Sequence, residues 1–544
     1  MKTFKNLKYI GLLAIAIGFT ACNDEEDYEQ FLEEPPVDAV TLPTLNAGSA
    51  DFSNYIAVGA SFTAGFTDGG LFMAGQENSF PNTLAKQFSN IGGGTFTQPL
   101  TADNYGGLTV GGSRIQNPRL VFGGAGPVSL ESVIGSVTVG TDLLSPPTGP
   151  FNNFGVPGAK SFHLIAPGYG NLANLSAGLA NPYAVRLTAA TPDASMVQLA
   201  VAQNPSFFTL SEIGGNDVLG YATTGGDGTN LITPTATFDF ALTTIVTSLT
   251  SNGAKGAIGN LPDITSLAHF TTVPHNPLDP SNPSFGPQIP LLNSIFGALN
   301  PIFNAVDPAR AIVFSETEAS AVVIKDETLT DISGVIAAQL NASPTFPAFI
   351  AQFGLPPAAA PLVANLLGTT YGQTRQATQE DLFVLPSSSI IGTVNTANVV
   401  ILMGQGLPQA LAGQFSVEGV TLPLEDKWVL LPSEQQEIAT ATNAFNASIA
   451  SIASSNGLAL VDLNTILSQA ASAGVQFDDY NLSTGLVTGG LISLDGIHLT
   501  ARGYALMSNA FLDAIDTTYG SNFIASGNVA KAEDFGIAYS PLLQ

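Results

Sequence analysis

Short, mainly apolar runs recur along the chain: Tyr55–Val58 and Phe207–Leu210 without a charge, 255–260 opened by Lys255, and 458–463 with Asp462 near its end. An unbroken apolar run, unlike an alternating one, predicts a strand buried on both faces, as in a parallel sheet. Between these runs the spacing becomes helical. Residues 80–88 predict a helix with Pro81 in its first turn. A second follows Asp193 as a candidate cap, through Met196, Val197 and Ala200, and a third covers 238–249. Ile438, Ala441, Phe445, Ile449 and Ile452 predict a long helix opened by a Ser433–Gln436 capping box and closed at Asn456-Gly457. Tyr504, Met507, Phe511 and Ile515 predict a last one behind Thr500 as N-cap. Alternating strands and helices imply an α/β fold with a central parallel sheet and helices on both faces.

The alternation fails in two places. Residues 88–151 are rich in Gly, Thr, Ser and Pro and predict irregular structure with a hairpin at the rim of a site. Residues 268–425 hold long uncharged stretches, 291–306 and 332–367, in which Pro344, Pro347, Pro356 and Pro357 stop or kink helices. They predict a large, mostly helical insertion: a packed subdomain, and a candidate cap. The resulting plan is a first main segment 51–267, the insertion 268–425, a second main segment 426–520 and a tail 521–544 without readable pattern.

The N-terminus reads as targeting. Lys2, Lys5 and Lys8 precede an apolar stretch too short to span a bilayer, so 1–21 is expected to be a signal segment. Cys22, the single cysteine, stands at its end, where it resembles the lipidated cysteine of a bacterial lipoprotein. An acidic, proline-ended tether spans 22–50. An acidic cluster directly after such a cysteine resembles the export signal of Bacteroidota-type surface lipoproteins. The expected location is therefore the outer membrane, with exposure at the cell surface. One cysteine excludes a disulfide framework and a Cys-based metal site. With net charge −27 and only 15 Lys and Arg, the chain has no basic stripe for a phosphate backbone, and no nucleic-acid partner is expected. Hydrophobic residues make up 45% and charged ones 10%, ample for a large core.

Chemistry enters at Y-I-A-V-G-A-S-F-T-A-G. Gly59 and Ala60 let the chain turn at the end of a strand, and Ser61 then faces the crevice where open α/β sheets bind ligands. In S-L-D-G-I-H-L-T, Asp495 can hold one ring nitrogen of His498 and leave the other to take a proton from Ser61. Two further stretches complete the pattern: N-N-F-G-V-P-G with Gly158, and F-F-T-L-S-E-I-G-G-N-D with Asn216.

In this order the four blocks resemble those of the SGNH (GDSL-type) hydrolases. The resemblance covers the blocks and their supporting strands, about half of the chain. It implies a three-layer α/β/α flavodoxin-like fold and covalent ester hydrolysis without cofactor or metal. Ser61 would be the nucleophile, His498 the base and Asp495 its orienter. The Ser61 and Gly158 N–H groups and the Asn216 amide would form the oxyanion hole. Two positions depart from the family pattern: Ala60 stands where an Asp is usual, and Phe62 where a Leu is. The expected partners are a small-molecule ester, either an acyl lipid or an acylated glycan, and a membrane through Cys22. The uncharged insertion favours acyl chains, as an apolar wall over Ser61. The alternatives are a carbohydrate O-acetyl esterase and a non-catalytic lipid- or glycan-binding lipoprotein on the same fold. His269 and His275 match no ligand spacing and are expected on a surface loop, and His163 is expected to pack.

Overall fold

A computed structural model describes residues 42–544. The signal segment 1–21, Cys22 and the tether up to residue 41 lie outside the described residues.

Five strands form one parallel sheet: β1 (Tyr55–Gly59), β2 (Asn153–Gly155), β3 (Phe207–Ser211), β4 (Lys255–Gly259) and β5 (Ala459–Val461), in the spatial order 2-1-3-4-5. Every residue of β1 and β3 is buried. Successive strand side chains point to opposite faces, so the sheet is covered on both sides, as a three-layer α/β arrangement requires. Two helix groups supply the cover. Phe80–Ser89 (α1) packs against Ala501–Tyr519 (α5), with Phe80 stacked on Phe511. Thr235–Thr250 (α3) packs against Pro432–Asn456 (α4), with Phe238 stacked on Phe445. Gly215–Thr223 (α2) leads out of the β3 end and also meets α4.

The four predicted strands all lie in this sheet; its fifth, β2, is the short run before Gly158. Two local expectations are corrected. The helix at 196–202 is capped by Ser195 with Gln198, because Ser195 Oγ accepts from the Gln198 N–H and Asp193 stands two residues too early. The helix α4 begins at Pro432, and Glu434 rather than Gln436 accepts the Leu431 N–H at 2.6 Å. Just before Asp51 the Ser49 N–H donates to the Tyr519 carbonyl, and Ala50 joins the core. In the tail, the Ala532 and Phe535 carbonyls accept from Arg502 Nε.

Residues 88–151 form irregular structure with two small antiparallel ladders, Leu108–Val110 with Ser113–Gln116 and Leu120–Phe122 with Pro127–Ser129. The regular structure of the insertion is mainly short helices, and it has its own core, built on Phe296, Phe303, Ile324, Ile336 and Tyr371. A strand pair, Val323–Lys325 with Thr374–Gln376, crosses it, pinned by Arg375 between Asp326 and Asp381 at 2.6 and 2.7 Å. Leu382–Phe383 pairs with Val429–Leu430 and ties it to the returning main chain. Its apolar content is thus spent on a core of its own. Among the described residues no single helix is long and apolar enough to cross a membrane.

Candidate active site

The sheet register brings the predicted residues together. Gly59 pairs with Gly155 on one side and Ser211 on the other, so the chain segments leaving β1, β2 and β3 emerge side by side. Ser61 opens a one-turn helix, Ser61–Ala64, directly after β1. A Cβ at Gly59 would overlap Thr63 and the Ser211 carbonyl, so only glycine permits this tight exit. Gly158 follows β2 with φ +79°, a left-handed backbone suited to glycine. Its neighbour Pro157 is held by Asn181, whose amide donates to the Pro157 carbonyl at 2.8 Å. Asn216, in the first turn of α2, spends one amide hydrogen on the Ala159 carbonyl at 3.0 Å and keeps the other. Asp217 anchors the two segments, accepting from the Ser161 N–H at 2.8 Å and the Ser161 hydroxyl at 2.7 Å.

The acid–base loop precedes α5, whose Thr500 cap accepts from the Gly503 N–H at 3.0 Å as the sequence predicts. Asp495 Oδ2 lies 2.8 Å from His498 Nδ1 and also accepts the Gly69 N–H at 2.8 Å. Its Oδ1 takes the N–H groups of Ile497 and His498, both at 2.9 Å. Burial pushes the Asp495 carboxyl up, but His498 and these donors hold it well below the usual carboxylate range. Burial alone would lower the His498 pKa; Asp495, with Glu212 and Asp68, overrides this and raises it. The ring is steered to a fixed tautomer with Nδ1 toward Asp495, leaving Nε2 outside that hydrogen bond. Phe62 and Phe66 pack their rings against it.

One element is absent from the expected picture. The Ser61 hydroxyl donates to Glu212 Oε1 at 3.1 Å, and among the described residues no hydrogen bond joins Ser61 to His498. Glu212 Oε2 accepts the Phe62 N–H at 2.7 Å and the Thr63 N–H at 3.2 Å. Burial raises its pKa, opposed by these donors and by His498. Asp68 also faces the loop: its Oδ1 accepts the Leu494 N–H at 3.0 Å, while burial pushes its pKa up to about 7. A Glu in an otherwise uncharged strand end was the available sequence signal for Glu212; nothing local marked Asp68.

Beside Ser61 opens a narrow apolar pocket with a cavity volume of about 100 Å³. Val218 and Leu219 of α2, Leu261 and Ile264 after β4, Ile466 and Leu467 after β5, Ile497 of the loop, and Leu506 and Met507 of α5 form its walls. No residue of 268–425 lines it, which corrects the expectation that the insertion supplies the apolar wall. His269 is likewise corrected: it is 8% exposed, and its N–H donates to the Gly496 carbonyl at 2.9 Å, so it sits beneath the acid–base loop rather than on a surface loop. His163 packs as expected, stacked on Tyr169 with its Nδ1 accepting the Lys160 N–H.

Comparison with protein-family models, curated proteins and solved structures finds no match.

Proposed function

We propose that the chain is a serine esterase of the SGNH (GDSL) type that cleaves carboxylic esters of acyl-lipid character. The observation that carries the proposal is the convergence of Ser61, Gly158, Asn216 and the Asp495–His498 pair at one end of the sheet, from segments far apart in sequence. The 2-1-3-4-5 strand order is that of flavodoxin-like folds and supports the finer fold assignment.

In the proposed reaction the Ser61 hydroxyl turns from Glu212 to His498 Nε2 and attacks the ester carbonyl. His498 accepts the proton and returns it to the departing alcohol; water, activated by the same nitrogen, then releases the acid. The Ser61 and Gly158 N–H groups and the spare Asn216 amide hydrogen face the oxyanion. The apolar pocket beside Ser61 favours an acyl chain over the methyl group of an acetyl ester. Lipidation of Cys22, and hence an outer-membrane, surface-facing location, completes the proposal; it rests on the N-terminal sequence alone.

One observation favours a non-catalytic binding lipoprotein: the resting Ser61 hydroxyl is bound to Glu212. Hydrolysis of p-nitrophenyl esters by the soluble chain beginning after Cys22 separates the two. The proposal expects turnover that Ser61→Ala abolishes; equal rates for the two proteins would leave the binding protein.

A further inference from the structure

Glu212 occupies a conformation that needs an explanation. Its φ of +57° is uncommon for a residue with a side chain, and it stands half-buried at the pocket wall. Strain of this kind persists where surrounding contacts over-determine it, and it gathers at functional sites. Here the contacts are four hydrogen bonds, three of them from the nucleophile's turn, the Ser61 hydroxyl and the N–H groups of Phe62 and Thr63, with the Ser211 hydroxyl as the fourth. The turn has no cap of its own, because Ala60 carries no side-chain acceptor. The acceptor comes instead from the adjacent strand, where the Gly59–Ser211 pairing sets Glu212 across from Ala60.

We propose that Glu212 is a positioning residue of the esterase centre, holding the nucleophile's turn in place of a residue-60 cap and placing a carboxylate among the acidic groups that face His498. The inference rests on the esterase reading. Glu212 transfers no proton in the reaction; the hydroxyl it holds at rest passes to His498 when substrate enters. The charged and titratable groups facing His498 are Asp495 on its own loop, Asp68 with Arg119 beside it, Glu212 from the β3 end, and His269 beneath the loop. Removing one negative charge from this set makes the imidazole easier to deprotonate.

The test is a pH profile of kcat/KM on a p-nitrophenyl ester for wild type, Glu212→Gln and Glu212→Asp, with thermal melts to show that each folds. Glu212→Gln keeps an oxygen acceptor but no charge. Its rate is expected to fall about tenfold, and the acidic limb of its profile to move down by about one pH unit. Glu212→Asp keeps the charge but is too short for all three hydrogen bonds from the turn, so it should lose rate while its acidic limb stays near the wild-type position. A folded Glu212→Gln variant with the wild-type limb overturns the proposal. Inactive wild type overturns the esterase reading instead, so the two failures are distinguishable.

Discussion

Leu506→Trp is the most informative change to the pocket. Leu506 is half-buried on the outer part of α5 and lines the cavity beside Ser61, so an indole there narrows the cavity without entering the closed core. Each methylene transferred from water to such walls is worth about 0.8 kcal/mol, close to fourfold in kcat/KM. From acetyl to octanoyl the chain gains six methylenes, so full burial would give about 5 kcal/mol; burial of half the added surface leaves roughly a hundredfold preference. The assay is kcat/KM on p-nitrophenyl esters of increasing chain length. Wild type should rise from acetyl to octanoyl by about two orders of magnitude and then level off. Leu506→Trp should lose most of that rise while its acetyl ester rate stays within about threefold of wild type, because the oxyanion donors are untouched. An equal loss on acetyl and octanoyl esters would refute the assignment of this cavity to the acyl chain. A sharp acetyl optimum in wild type would point to an O-deacetylase.

The remaining predictions concern the oxyanion hole, a carboxylate cluster and the anchor. Asn216→Ala should lower kcat by about 10²–10³ with little change in melting temperature, measured by initial rates and calorimetry, because it removes one of the proposed oxyanion donors. Glu434 lies close to Glu327 and Asp426; burial holds its pKa up at about 8 and that of Asp426 at about 6. A carboxyl raised by folding keeps its proton more tightly in the folded chain. Its contribution is therefore full below the unfolded pKa, about 4.3 for Glu, and is lost as pH rises through about 8. Glu434→Gln, which keeps an acceptor for the Leu431 N–H, should melt above wild type by a margin that grows between pH 5 and pH 8 in calorimetric scans. Cys22→Ser should move the expressed protein from the membrane fraction to the soluble fraction if Cys22 carries the lipid.

The strands and the Ser61 turn were legible in the sequence because each is local. An uncharged run ending in small residues reads as a buried strand wherever it packs, and Asp495 meets His498 within one loop. Features that depend on pairing between distant segments were not legible. Glu212 reaches Ser61 only because β3 lies beside β1, and no spacing along the chain shows that contact. Composition alone points to the insertion as an apolar wall, yet uncharged residues close a core of their own as readily as they line a pocket. Here the Phe296 and Tyr371 region does the former. His269 was misplaced for a related reason: its Pro-rich surroundings suggested a loop, but the chain folds back beneath Gly496.

The central claim is that Ser61 is an activated nucleophile. Treatment of the soluble chain with a fluorophosphonate, followed by mass spectrometry of its peptides, tests that claim without assuming a substrate. The account predicts a single covalent adduct on Ser61 in wild type, none in Ser61→Ala, and strongly slowed labelling in His498→Ala. A wild-type chain that stays unlabelled, or that labels as fast without His498, would contradict it.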